Sequence, residues 1–98
     1  QMTSRDDLVR DYRAAFLRYL PRREEAPLHN GYEIGRSAFV DGLSILELAT
    51  VHHDVFLEVL QDTSSDDLSK VAAAASEFFL EVLSTYDMAQ RGILERAE

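Results

Sequence analysis

Gly42-Leu43-Ser44-Ile45-Leu46-Glu47-Leu48 reads as a helix stop, a turn and a helix restart. Gly42 suits the left-handed conformation that terminates a helix. Ser44 is a helix N-cap, and Glu47 stands three residues on, the spacing of a capping box. Leu43 and Leu48 occupy the two positions of a hydrophobic staple across that cap. Upstream, Leu28, Tyr32, Gly35 and Phe39 follow helical spacing, which predicts a second helix over 24–41. Pro27 fits only in its first turn, where no backbone N–H is needed. Gly31 and Gly35 lie four apart and leave room for another helix to approach closely. Further upstream, Leu8, Tyr12, Ala15, Phe16 and Tyr19 form one apolar stripe, predicting a first helix over 5–20 with Ser4 as its cap. Pro21 ends it by disfavouring helix at Leu20.

Downstream of the restart, Ile45, Leu48, Ala49, His52, Phe56, Val59 and Leu60 mark one face of a third helix. The polar run Gln61-Asp62-Thr63-Ser64-Ser65 is a loop. A last helix is predicted over 66–96, with Asp66 and Asp67 at its positive end. Along it, Leu68, Ala72, Ala75, Phe79, Val82, Tyr86, Ala89 and Ile93 alternate steps of four and three, a heptad seam. At 1.5 Å per residue this helix spans about 45 Å, against about 25 Å for its neighbours, so its end should project from the bundle. Short joints favour antiparallel neighbours. The expected fold is therefore all-α: an antiparallel four-helix bundle with a long C-terminal helix. Phe79, Val82, Tyr86, Ala89 and Ile93 are expected to serve both the core and the seam of a homodimer.

Composition narrows function. The 98 residues carry a net charge of −8, 46% hydrophobic and 29% charged residues, which suits one globular domain. That charge repels nucleic acid and anionic membranes, so the expected partners are proteins. With no cysteine, disulfide and thiol chemistry are excluded, and the cytoplasm is the expected compartment. No apolar run approaches the ~20 residues that span a bilayer. Gln1 precedes Met2. Met2 reads as a natural start, which makes residues 1–98 a single domain at the head of a larger protein.

Several groups suggest chemistry. Around His52 the positions three and four residues away hold Leu48, Ala49, Val55 and Phe56; around His53 they hold Ala49, Thr50, Phe56 and Leu57. None is a metal ligand, so no metal and no cofactor is expected. His52, inside the apolar stripe, reads as a core histidine with a hydrogen-bond partner, able to titrate near neutral pH. His53-Asp54 resembles a phosphoacceptor pair, but Phe56 and Leu57 replace the small residues such sites carry. Ala38, Gly42, Leu43, Ser44, Leu48 and Val51 match helix-turn-helix spacing, yet 45–61 contains no Lys or Arg to face a polyanion. No phosphate loop or nucleophile triad is present, so no catalytic residue is assigned. Opposite the heptad seam, Leu80 stands in a small polar strip with Ala73, Glu77, Ser84 and Asp87, a candidate docking patch.

The stretch Phe78-Phe79-Leu80-Glu81-Val82-Leu83-Ser84-Thr85-Tyr86-Asp87-Met88-Ala89 resembles the closing helix of the RsbU N-terminal domain, in which related bacterial sequences carry an F-x-x-E-x-L-S-P-F-E-M-x-x-R-G-like segment. Arg91-Gly92 continues the match, and Arg18-Tyr19-Leu20, Glu25, Leu28, Arg36 and Val51-His52 fall in the same order and spacing. The resemblance implies a non-catalytic, dimeric helical domain that precedes a PPM-type serine phosphatase in sigma-factor control of the stress response. It also implies a switch-kinase-like activator that docks on the second and last helices. Carried across, the partner-binding positions are Glu25, His29, Leu80 and Ser84. His29 and Ser84 replace bulkier residues of relatives, and Thr85 stands where many have Pro, so no helix break is expected there. The alternatives are an input domain of a sensor histidine kinase, or a histidine phosphotransfer module.

Overall fold

The computed structural model describes residues 5–97, with side-chain surroundings through Gly92. Four helices follow one another: α1 (Arg5–Tyr19), α2 (Glu25–Val40), α3 (Ile45–Gln61) and α4 (Leu68–Ala97). There is no strand among the described residues. The Ser4 cap lies outside them.

The joint between α2 and α3 forms as its residues dictate. Gly42 adopts φ 83°. The Leu43 N–H donates to the Ala38 carbonyl and the Gly42 N–H to the Phe39 carbonyl, the paired bonds of a Schellman stop. Ser44 and Glu47 then make the reciprocal capping box, with the Glu47 N–H 3.1 Å from the Ser44 Oγ. The start of α4 differs from expectation. A short 3₁₀ turn, Ser65–Asp67, precedes it, and the Ser64 hydroxyl donates to the Asp67 carboxylate at 3.1 Å. The Asp67 N–H donates to the Ser64 carbonyl at 3.0 Å, and the Ser64 side chain makes no cap bond. From Leu68 the helix runs unbroken through Thr85 to Ala97.

The core is centred on Phe78. Tyr12, Phe16 and Tyr19 of α1 surround it, with ring centroids 5.2, 5.6 and 5.8 Å away. Leu48, Val51 and Val55 close the core from α3, and Ala74, Ala75, Val82 and Tyr86 from α4. On α1 every predicted core residue is buried. On the other helices the buried stripe keeps the predicted Gly35, Leu48, Ala75, Val82 and Tyr86 but shifts at other positions. In α2 it runs through Pro27, Gly31, Gly35 and Ala38 instead of Leu28, Tyr32 and Phe39. In α3 it takes Leu48, Val51 and Val55 and leaves Ile45 exposed. In α4, Phe78 rather than Phe79 points inward, and Leu68 and Ala72 are exposed.

In α2 and α4 the shift follows from how these two helices meet. The helix pair packed most intimately is α2 with α4. Gly31 meets the Phe78 ring, and Gly35 lies against the Val82 carbonyl and Thr85 hydroxyl. Both glycines turn toward α4, so backbone proximity outweighs side-chain volume in setting the inward face. Matching positions also fix direction: Gly31 with Phe78, Gly35 with Val82 and Thr85, and Phe39 with Tyr86 at 5.4 Å. Thus α2 and α4 run parallel. So do α1 and α3, where Tyr12 meets His52 and Arg13 meets Glu58. Both parallel pairs are helices two apart in the sequence, as an up-down-up-down order of consecutive helices also has them.

The long dimension of the molecule, 50 Å, is that of α4. A Cβ placed on Gly92 would meet nothing within 4 Å, so α4 is open on that side there.

Candidate functional site

Two places concentrate polar groups. The first is His52. Its Nδ1 lies 2.6 Å from the Tyr12 hydroxyl, and its ring stacks on Phe79 with centroids 3.9 Å apart. Burial, with the neighbouring His53 adding to it, lowers its pKa to about 4. Burial also pushes the Tyr12 phenol up, so both partners of this hydrogen bond are uncharged. His52 is therefore a neutral packing residue at physiological pH. The expected partner is present; titration near neutrality is corrected downward by desolvation. Among the described residues no cluster of His, Asp and Glu could hold a metal ion. His53 is exposed.

The second place lies along α2 and α4. At its base, Arg23 adopts φ 54°, an uncommon conformation for a residue with a side chain. From there its guanidinium grips Glu77 of α4 with both nitrogens, one at 2.8 Å from Oε1. The Tyr19 hydroxyl donates to the same carboxylate at 2.9 Å. Arg23, then Tyr19, hold the Glu77 carboxyl below the usual carboxylate range. This cluster ties the joint between α1 and α2 to α4.

Above the clasp stand the positions singled out from sequence. Glu25 and His29 are one turn apart and exposed on α2. The His29 ring stacks on Tyr32 at 5.5 Å, with its Nε2 3.8 Å from Glu33. Leu80, 61% exposed, and Ser84 are one turn apart on the outer side of α4. Further along, Tyr32, Arg36, Thr85, Met88 and Ala89 line a surface cavity between the two helices. The structure therefore sets both pairs on its two most closely packed helices, with glycines holding those helices together.

The heptad seam is distributed differently. Val82 and Tyr86 are buried within the chain's own core, and the Tyr86 hydroxyl donates to the Leu43 carbonyl at 2.8 Å. Phe79 is occupied by His52, Ala89 is half-buried, and the side chain of Ile93 lies outside the described residues. Two features escaped sequence reading. Phe78 was masked by its neighbour Phe79, since either fits an apolar stripe. The clasp of Arg23 and Glu77 joins residues 54 apart, beyond any local pattern.

A match along most of the chain's length decides the family. The family described as "Phosphoserine phosphatase RsbU, N-terminal domain" matches residues 10–89. The chain belongs to this family. No curated protein and no solved structure matches it. The matched region is the N-terminal, regulatory domain of RsbU-type phosphatases and not their catalytic part. No helix among the described residues is long and apolar enough to cross a membrane.

Proposed function

We propose that this RsbU N-terminal domain is a regulatory interaction module that receives a switch-kinase-like activator and controls a C-terminal PPM-type serine phosphatase in stress-response sigma-factor signalling. The family match carries the reading. The paired exposed positions Glu25 and His29 on α2 and Leu80 and Ser84 on α4 support the docking surface. All four are exposed, on the two helices that the glycine contacts hold together. A partner that prefers one placement of α4 shifts the domain's equilibrium by its differential affinity, and α4 carries that shift beyond the bundle. In this role the domain forms a homodimer, with two projecting helices to report to the output.

The test uses the longer protein. A phosphatase domain is expected after Glu98 in the parent gene, and Leu80→Asp is expected to abolish partner-dependent phosphoserine hydrolysis while leaving basal activity and helicity unchanged. Unchanged stimulation in that variant removes the patch from the mechanism. A kinase domain after Glu98 replaces the phosphatase reading with that of a sensor-kinase input.

A further inference from the structure

A cavity of about 340 Å³ lies between α1 and α2. Small-molecule sites occupy roughly 300–1,000 Å³, so this one suits a small ligand. Its apolar part comes from Ala14 and Ala15 of α1 and from Ile34 and Ala38 of α2. Its polar groups fall in a definite order. Arg18, next to the end of α1, and Asn30, in the second turn of α2, stand toward the joint between the helices. Asp11 and Ser37 stand seven residues further from it on each helix, about 10 Å along the axis. Glu33 lies one turn beyond Asn30, between the two ends. These groups are not spent within the chain. Arg18 and Asn30 make no side-chain hydrogen bond or ion pair among the described residues, although Asn30 is half-buried. No unpartnered side-chain polar atom there is sealed from solvent, so the Asn30 amide stays within reach of a ligand. Glu33 comes no nearer to His29 than 3.8 Å, too far for a hydrogen bond. Asp11 shares Arg10 with Asp7, at 3.1 and 3.3 Å, so that trio keeps a net negative charge.

We propose that this cavity binds a free basic α-amino acid, of the L-arginine or L-lysine type. The cavity presents a cation, then an anion, then a second anion, with apolar surface between the ends. Such a ligand carries the complement in the same order: a carboxylate, an ammonium, a methylene stem and a terminal cation. Its carboxylate pairs with the Arg18 guanidinium and accepts from the Asn30 amide. The adjacent ammonium donates to Glu33. The stem lies on Ala14, Ala15, Ile34 and Ala38, and the terminal cation meets Asp11 and the Ser37 hydroxyl. An apolar ligand would cover these charges without pairing them, at a desolvation cost. A phosphate compound would be repelled by Asp11 and Glu33. The site goes beyond the activator-docking reading and does not require it. Asn30 and Ile34 directly precede Gly31 and Gly35, which lie against α4. A ligand that ties α1 to α2 therefore also steadies the helix that positions α4.

Isothermal titration of L-arginine into the 98-residue chain tests the site. One ligand per chain is expected, with a dissociation constant of about 1 mM or below, as suits so small a ligand in an open cavity. Agmatine lacks the carboxylate and L-norvaline lacks the terminal cation, so each is expected to bind about tenfold more weakly or worse. Arg18→Gln should weaken L-arginine by a similar factor and remove its preference over agmatine. Asp11→Asn should do the same for its preference over L-norvaline. Both side chains are exposed, so helicity is expected to stay unchanged in either variant. Asp54→Asn removes the same charge from α3 and should leave the affinity as it was. No saturable binding up to about 10 mM, ten times that dissociation constant, overturns the site. Equal binding of L-arginine, D-arginine and agmatine, or affinity that survives both substitutions, overturns it too, because a diffuse pull of the acidic surface would then explain the heat.

Discussion

Gly35→Ala separates backbone proximity from side-chain packing as the force that orients the bundle. Replacing a helical glycine by alanine ordinarily stabilises by about 1 kcal/mol. At position 35 the new methyl group would fall on the Val82 carbonyl and the Thr85 hydroxyl. Neither can yield easily. The carbonyl belongs to a helix pinned by the buried Phe78 and Val82 side chains, and the Thr85 hydroxyl donates to that same oxygen at 3.1 Å. The two helices must part, and overpacking of this kind costs about 1–3 kcal/mol, or more against backbone. Because the obstacle is main chain, the upper part of that range applies, and the net loss is about 2 kcal/mol after the propensity gain. For a domain of this size that corresponds to a melting temperature lower by roughly 10 °C. Gly92→Ala is the control. Its Cβ meets nothing, so it is expected to be neutral or to stabilise by up to about 0.5 kcal/mol. Thermal and urea unfolding followed by circular dichroism read both. A Gly35→Ala chain as stable as its parent would falsify the claim that α2 and α4 touch through their backbones.

Three other substitutions are informative. Phe78→Ala should cost about 3–5 kcal/mol, whereas Leu80→Ala should stay within about 0.5 kcal/mol; similar losses by urea unfolding would reverse the assignment of inner and outer faces. Ser44→Ala should remove about 1 kcal/mol and fray α3 from its start, visible as faster amide exchange at 45–48. The third concerns pH. The unfolded chain protonates His52 below about pH 6.5, but the folded chain resists until about pH 4. The His52 contribution to stability is thus complete above pH 6.5 and is lost as pH falls toward 4. Comparing stability from pH 7 to 4 in the parent and in His52→Phe should show a flatter curve in the variant; parallel curves would mean that His52 is not shielded.

Local chemistry was legible in the sequence to the residue. The Gly42 stop, the Ser44 and Glu47 box and the α1 stripe all depend on neighbours within a turn or two, and all appear in the fold. What sequence pattern misjudged was rotation about each helix axis. In α4 the adjacent Phe78 and Phe79 offer two nearly equivalent apolar stripes, and the choice is made by Gly31 and Gly35 on another helix. The same long-range decision moved the inward face of α2. Of the candidate site, Leu80 and Ser84 could be placed outside the bundle because they oppose the apolar stripe under either rotation. Arg23 could not be found, since its role requires a backbone conformation that its residue type does not announce.

The glycine contact near the middle of α4 has a mechanical consequence. With its backbone resting on Gly35 and Tyr86 the last buried side chain, α4 has its support near Val82–Tyr86, and about eleven residues of stiff helix extend from there to Ala97. That arm is roughly 16 Å long, so tilting it by about 10° sweeps its tip by about 3 Å. A shallow contact beside the pivot would thus be geared up into a displacement as large as a helix radius at the far end.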